Sequence, residues 1–533
     1  MKALLNKINA MTAAGKIGDK QPIRPKTEKT IEFERIAALY LDKILNSSPK
    51  GVGEEMEIRF GKNNWTDAQI TKIDYDNVVK TLISHGFRTE ELSYEGQNHL
   101  RINCEYVDPN TGHRKTSHVR ADIIGTDLIS AYCKTNSIQA LLNMPSTSSA
   151  VKEKIKFTQK TPVLDAEGKP IAMVHFDDHN FRVDIKTERD YSAFSNVSRR
   201  IIDSWMDSKK SFRYLNRVRL MHSDLPVFAD LSILQKSATY KNVPIMKYTI
   251  QEAGVFDTPA SYEIELEVDS NHHTIQHIVI GMRNGTYTKE DALNKFMGYL
   301  RTSIRIIMSA LQDTMYPIGN EEQQKIALEY MQLIHGKDYE PRKNNRVFAF
   351  DFVGPSPVTL QLENVSKPNE KSVVPNIRTN YCVTEKADGE RKLLFINHKG
   401  HIYFIDNGMR ISFTGCITGE KELFGTLLDG EHIKHNKHGK FINLYAAFDV
   451  YYIHEKCVRD LPFFVNAEGV VDAKQRMKLM NKCVEMLKIA PITGRNGCPI
   501  RVECKMFYIS NSMTTIFQCS DEILARVRNG LFE

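Results

Sequence analysis

The stretch "YCVTEKADGERKLLF", residues 381–395, sets a lysine, an aspartate and an arginine around one glycine as K-x-D-G-x-R. The neutral ε-amine of Lys386 would be a nucleophile, provided that its pKa falls. Nearby cations and partial desolvation lower a lysine pKa, and Arg391 and Lys505 are the cations the sequence offers. Downstream, "GTLLDGEHI" (425–433) brings Asp429 and Glu431, which can hold a metal or a nucleotide. "NLYAAFDVYYI" (443–453) is an apolar strand carrying Phe448, whose ring can stack on a base, and Asp449. "RVECKMFY" (501–508) reads as a further strand with Lys505 in it. Together these parts suit nucleotidyl transfer through a covalent lysine. The amine attacks an α-phosphate, pyrophosphate leaves, and a metal offsets the charge. Alone, the first stretch also reads as a plain hairpin, strand–turn–strand, with Asp388-Gly389 as its turn.

A second set of residues lies far upstream. "EEMEIRF" puts Glu55, Glu57 and Arg59 on one face of a strand and Met56, Ile58 and Phe60 on the other. "YEIELEV" does the same with Glu263, Glu265 and Glu267 against Ile264, Leu266 and Val268. Residues i and i+2 share a face, so these carboxylates repel one another unless a cation sits among them. Oxygen-only clusters suit Mg²⁺ or Mn²⁺. The strands between supply bases: Lys154 and Lys156, Arg182 and Lys186, Arg217 and Arg219. Acid on the first and last strands with base between them predicts a barrel with a charged lumen that grips a triphosphate and divalent metal. One E-x-E alone is better explained as a solvated strand face.

The elements that must position these groups follow from periodicity. A helix is predicted over 30–48. Period-two strands are predicted over 54–61, 99–107, 152–160, 180–191, 212–222, 227–236 and 261–269. Helices are predicted over 289–315 and 320–336, with a boundary near 336–346 and a mixed α/β pattern beyond. The 533 residues exceed one core, so several domains are expected. No apolar run reaches the length of a membrane span. The net charge of +7 fits a polyanionic partner, and residues 1–30 hold seven Lys/Arg against two Asp/Glu, a flexible basic tail over 1–29. Nine cysteines form no C-x-x-C and no zinc spacing, which predicts free thiols in a reducing compartment. The histidine runs at 272–277 and 432–440 read as surface or loop positions.

The N-terminal pattern resembles the triphosphate tunnel metalloenzymes, specifically the metal-dependent RNA triphosphatases of fungi, protozoa and large DNA viruses. That resemblance implies metal ligation by Glu55, Glu57 and Glu267, with Glu263 and Glu265 as further lumen carboxylates. It implies phosphate binding by Arg182, Lys186, Arg217, Arg219, Lys154 and Lys156, with Asp230 orienting a base or a water. The C-terminal pattern resembles the covalent nucleotidyltransferases, the mRNA capping enzymes and the ATP- or NAD-dependent ligases. "EKADGER" matches their attachment motif, with Lys386 carrying the nucleotide and Asp388 and Arg391 as motif positions. "DGE" (429–431) and "AFDVYYI" (447–453) match the next two motifs, and Arg410 sits where a ribose-contacting arginine is often found.

The family continues with a D-G-x-x-F-like strand, a lysine motif and an OB-fold, whereas this chain ends at "ARVRNGLFE". The expected architecture is therefore α+β. An eight-stranded antiparallel β tunnel with flanking helices (30–340) precedes a mixed α/β nucleotidyltransferase domain (341–533) that lacks its last strands and OB-fold. A ligase has no use for a triphosphatase, so the order resembles the capping enzymes of giant DNA viruses. The activities implied are γ-phosphate hydrolysis on 5′-triphosphate RNA, then GMP transfer from GTP through a lysyl-GMP intermediate. The implied cofactor is Mg²⁺ or Mn²⁺. The implied setting is the cytoplasmic viral factory or the virion, with a methyltransferase domain or subunit as a further partner. The alternatives are an ATP-dependent polynucleotide ligase with an unusual N-terminal domain, and an RNA-binding protein without activity.

Overall fold

A computed structural model describes residues 27–46, 53–61, 69–89, 97–108, 111–144, 153–165, 167–241, 243–342, 347–368, 373–465, 474–494, 499–511 and 513–528. The basic tail, up to residue 26, and the final residues 529–533 lie outside them. The chain divides into two compact units. One takes in residues up to Phe60, Thr89–Phe176 and Phe181–Arg301; the other takes in Gly61–Arg88, Asp177–Asn180 and Thr302 onward.

The first unit is built on β1 (Gly53–Phe60), β2 (Asn98–Val107), β3 (Arg114–Ile124), β4 (Ile155–Pro162), β5 (Phe181–Ser192), β6 (Lys210–Met221), β7 (Val227–Lys236) and β8 (Ser261–Val268). They pair antiparallel in the order β1–β8–β7–β6–β2–β3–β4–β5, and β5 returns to β1. The sheet closes on itself as an eight-stranded barrel. Alternation decides what faces where. On β1, Met56, Ile58 and Phe60 are buried outward, and on β8 Ile264, Leu266 and Val268 do the same. Helix α1 (Glu28–Asn46) packs against β1, and α1, α2 (His273–Arg283) and α3 (Lys289–Leu311) bury Ile36 and Tyr40, Ile275 and Ile278, and Phe296. Tyr40 stacks on Phe296 with ring centroids 5.9 Å apart. Each such buried apolar side chain contributes about 1.5–3 kcal/mol. The opposite face of every strand is charged, so this barrel is apolar outside and polar inside.

Seven of the eight strands follow the expected periodicity. The eighth, β3, does not. Its first half, Arg114–His118, is polar and largely exposed, so "RKTSHVRADII" shows no alternation until Val119.

The second unit centres on an antiparallel sheet of β9 (Glu390–Ile396), β10 (His401–Asp406), β11 (Ile411–Ile417), β12 (Thr426–His435) and β13 (Phe441–Ile453), in the order β13–β12–β9–β10–β11. β14 (Arg501–Cys504) runs parallel beside β13. Helix α4 (Asn320–His335) buries Ile326 and Tyr330 in one core with Leu393, Phe395 and Ile405. Helix α5 (Arg476–Met486) buries Met480 in a second core with Leu394, Ile396 and Phe404. A strand buried on both faces reads as a continuous apolar run, which is why β9 carries "LLFI" at 393–396.

The expected hairpin at 381–395 does not form. Cys382–Val383 pairs with Tyr508–Ile509, whereas β9 pairs with β10 and β12. The K-x-D-G segment is a connection between two sheets. The strand expected over 501–508 also stops at Cys504, leaving Lys505 just beyond its end.

Candidate functional site

Two sites emerge, one in each unit. The barrel encloses a cavity of about 630 Å³. Glu55, Glu57, Glu265 and Glu267 line it, with Lys186, Arg217, Arg219 and Asp230. Register sets these side chains against one another. Glu57 lies opposite Glu267, Arg59 opposite Glu265, and Glu55 opposite Lys186. Arg219 donates to Asp230 at 2.7 Å and to Glu267 at 2.7 Å, while Arg217 donates to Asp230 at 2.8 Å. Asp230 is only 1% exposed and anchors both guanidinium groups.

Of the expected phosphate-binding residues, Arg182, Lys154 and Lys156 do not line the cavity. Arg182 faces the lumen side of β5 beside Arg59. Lys154 precedes β4, and Lys156 is exposed, 3.8 Å from Asp190. Glu263 also stands outside the lining and accepts two hydrogen bonds from Arg213. Arg59, which the spacing places on the glutamate face without a role, lines the cavity, as do Arg101, Arg120, Lys160, Glu188 and Arg213, which the sequence does not single out. Arg120 was hidden because β3 was missed. Lys160 carries the same alternation as Lys154 and Lys156, further along β4.

The electrostatics divide the carboxylates. Burial pushes Glu265 up, but Arg59 and Arg217 prevail and hold it down to about 2. Burial lifts Glu55 to about 7, aided by Glu188 and Glu267 and opposed by Lys160. Burial likewise raises Glu267, against the pull of Arg219. Arg101 is lowered to about 10 by burial and by Arg120 and Arg217. Such crowding of arginines favours a bound polyanion.

The donor chemistry of Glu55, Glu57 and Glu267 fits a hard divalent cation. Glu57 and Glu267 are cross-strand neighbours, and Glu55 shares their face. Among the described residues, however, no three acidic, imidazole or thiol groups converge closely enough to hold one. Each lumen glutamate faces a protein cation instead.

In the second unit, Lys386 is exposed and, among the described residues, makes no ion pair. Asp388 is exposed beside it. The connection is held at its far end by close packing. A Cβ on Gly389 would lie 2.8 Å from the His432 carbonyl oxygen, and the Gly389 amide donates to Glu431 at 3.2 Å. Glu431 accepts from Lys505 at 2.8 Å. Arg391 makes a two-pronged pair with Asp429 (3.1 and 2.6 Å) and donates to the Pro355 carbonyl at 2.8 Å. Asp429 is fully buried and also accepts from Tyr451 at 2.6 Å. Burial raises its pKa although Arg391 and Tyr451 oppose it.

A β-bulge aims Phe448 at this group. Asp429 pairs with Asp449 and Gly430 with Ala447, so Phe448 has no partner in the ladder. Arg391 and Lys505 both lie over its ring, 5.9 and 5.8 Å from the centroid. The fold thus gathers Lys386, Asp388, Arg391, Glu431, Phe448 and Lys505 around one connection. Arg410 lies in the β10–β11 turn and pairs with Asp74 at 3.3 Å.

Residues 319–531 match the family model of the mRNA capping enzyme catalytic domain. Over 192 residues the chain is 29% identical to a probable mRNA-capping enzyme of Acanthamoeba polyphaga mimivirus. That match covers 36% of this chain and 12% of the relative, so the chain spans a small part of that protein's length. Among solved structures, the mimivirus capping enzyme triphosphatase is similar at 17% identity and a TM-score of 0.32, covering 52% of this chain and 96% of that one. The Pct1 RNA triphosphatase of S. pombe is similar at 10% identity and a TM-score of 0.30, covering 55% and 98%.

Proposed function

We propose that this chain forms mRNA 5′ caps in two steps, with an RNA triphosphatase in the barrel unit and a guanylyltransferase in the second unit. One observation carries the reading: an exposed lysine beside Asp388, in a connection packed against the Glu431–Lys505 pair and Phe448, within residues that match the capping-enzyme catalytic domain.

In the first step the lumen receives the 5′-triphosphate end of RNA. Lys186, Arg217 and Arg219, with Arg101 and Arg120, offset the phosphate charge. Glu55, Glu57 and Glu267 would hold a divalent metal, Mg²⁺ or Mn²⁺, with Glu265 nearby. When bound, that ion would supply charge neutralisation at the γ-phosphate during attack by water. Asp230 keeps Arg217 and Arg219 in place, and the product is 5′-diphosphate RNA.

In the second step Lys386 Nζ attacks the α-phosphorus of GTP. The bond to the β-phosphate oxygen breaks, pyrophosphate leaves, and the amine gives up a proton. GMP then passes from the lysine to the 5′-diphosphate end. Phe448 offers a stacking face to the base, and Lys505 and Arg391 surround the nucleotide with positive charge. Asp388 completes the nucleotide contacts, whereas Arg410 is paired with Asp74 and stands apart from this group. The free cysteines and a transcript substrate suit the reducing cytoplasmic site of viral mRNA synthesis. No helix among the described residues is long and apolar enough to cross a membrane.

The test is incubation with α-labelled GTP or ATP and divalent metal, followed by denaturing electrophoresis. A covalent adduct from GTP that disappears in Lys386→Met is expected. An adduct from ATP alone would overturn the capping assignment. For the barrel, phosphate release from γ-labelled triphosphate RNA should fall at least about a hundredfold in Glu55→Ala and Glu267→Ala.

A further inference from the structure

The lumen glutamates share one face of adjoining strands, yet they do not converge as metal ligands do. A cation already stands among them. The Lys160 ammonium, reaching in from β4, contacts Glu55, lies 3.0 Å from Glu188 and approaches Glu57 to 4.0 Å. Without it, three carboxylates would face one another in a half-buried cavity, at a substantial electrostatic cost.

We propose that Lys160 is a built-in place-holder for the divalent metal and changes partners when the metal arrives. This deepens the triphosphatase reading and rests on it. An ammonium is a compact charge on a flexible four-carbon stem, able to give up one anion for another. A divalent cation seated on Glu55 and Glu57 removes two of the three anions that hold Lys160 and leaves Glu188. The ammonium, freed on that side, then exchanges Glu55 and Glu57 for the bound phosphates while Glu188 keeps it at the lumen wall. Lys160 therefore opposes metal binding in the empty lumen and favours phosphate binding in the loaded one. By linkage, the metal and the phosphate each tighten the other through this side chain.

Other lumen cations are placed differently. Lys186 is held by Asp184 at 2.6 Å, on its own strand. Arg219 is forked onto the buried Asp230 and Arg217 donates one hydrogen bond to it, which fixes both in the lumen wall.

The experiment is calorimetric titration of the full chain with Mn²⁺ alone, then with inorganic tripolyphosphate at saturating Mn²⁺. Lys160→Gln and Lys160→Met should each bind Mn²⁺ alone about tenfold more tightly than the wild type, and bind tripolyphosphate about tenfold more weakly. Lys186→Gln reports the general effect of removing a lumen charge and should tighten Mn²⁺ far less. The opposite signs are the signature, because a variant with a damaged barrel would lose both ligands. The inference is overturned if neither Lys160 variant binds Mn²⁺ more tightly than the wild type, or if both gain no more than Lys186→Gln. Failure of the wild type to take up Mn²⁺ even with tripolyphosphate would overturn the triphosphatase reading itself.

Discussion

Single residues in this chain differ sharply in what their removal would do. Arg391 is the partner of a carboxylate with no solvent exposure, so Arg391→Ala leaves a buried charge uncompensated. Losses of that kind cost about 3–5 kcal/mol. Arg391→Ala should therefore lower the melting temperature as well as adduct formation, whereas exposed Lys386→Met should abolish the adduct and leave the melting temperature within a degree or two. His432 gives a pH test. Its Nδ1 faces Lys392 Nζ at 3.4 Å and its Nε2 faces Asn443 Oδ1 at 2.7 Å. An ammonium cannot accept, so Nδ1 is the acceptor and Nε2 carries the proton. Burial first, then Lys392, lowers its pKa to about 4, with Lys434 acting in the same direction and Asp313 against it. The folded state thus binds this proton less well than the unfolded chain does. The stability it contributes is complete above pH 6.5 and is lost as the pH falls towards 4. Calorimetry across that window should show a steep loss of stability in the wild type and a shallower one in His432→Asn.

Elements decide which residues the sequence reveals. Strands with a charged inner and an apolar outer face alternate cleanly, so β1 and β8 and their glutamates were legible from spacing alone. β3 was not, because half of it is polar on both faces, and Arg120 went unseen with it. Spacing gives the face of a strand but not the depth along a barrel. That is why spacing points equally to Lys154, Lys156 and Lys160, although only Lys160 lines the cavity. In the second unit the motifs were legible and their geometry was not. Asp388-Gly389 has the composition of a hairpin turn, but its glycine serves a close approach to the β12 backbone. Gly430 serves another: a Cβ there would lie 2.5 Å from the Tyr445 ring and 2.8 Å from the Ala446 carbonyl. Overpacking of this kind costs about 1–3 kcal/mol. Gly389→Ala and Gly430→Ala should each destabilise the second unit on denaturant titration, and Gly389→Ala should also slow adduct formation by displacing the connection that bears Lys386.

At the scale of the whole molecule, each unit buries its own core and presents its own chemistry, so lesions in the two should be independent. On the proposed reading, Lys386→Met retains phosphate release and Glu267→Ala retains the GTP adduct; mixing the two variants restores cap formation on free RNA. A second consequence comes from the return of β5 to β1. Every barrel strand is paired on both sides, so the wall has no seam through which a transcript could slip sideways. On the proposed reading a 5′ end therefore enters lengthwise, with its leading nucleotides as a single strand. On that reading the first nucleotides of a transcript are unpaired when they reach the lumen. Transcripts that begin with a blunt hairpin should lose their γ-phosphate far more slowly than those with a short single-stranded leader of the same composition. The tunnel would read how early in transcription a message arrives, before its 5′ end has had time to fold.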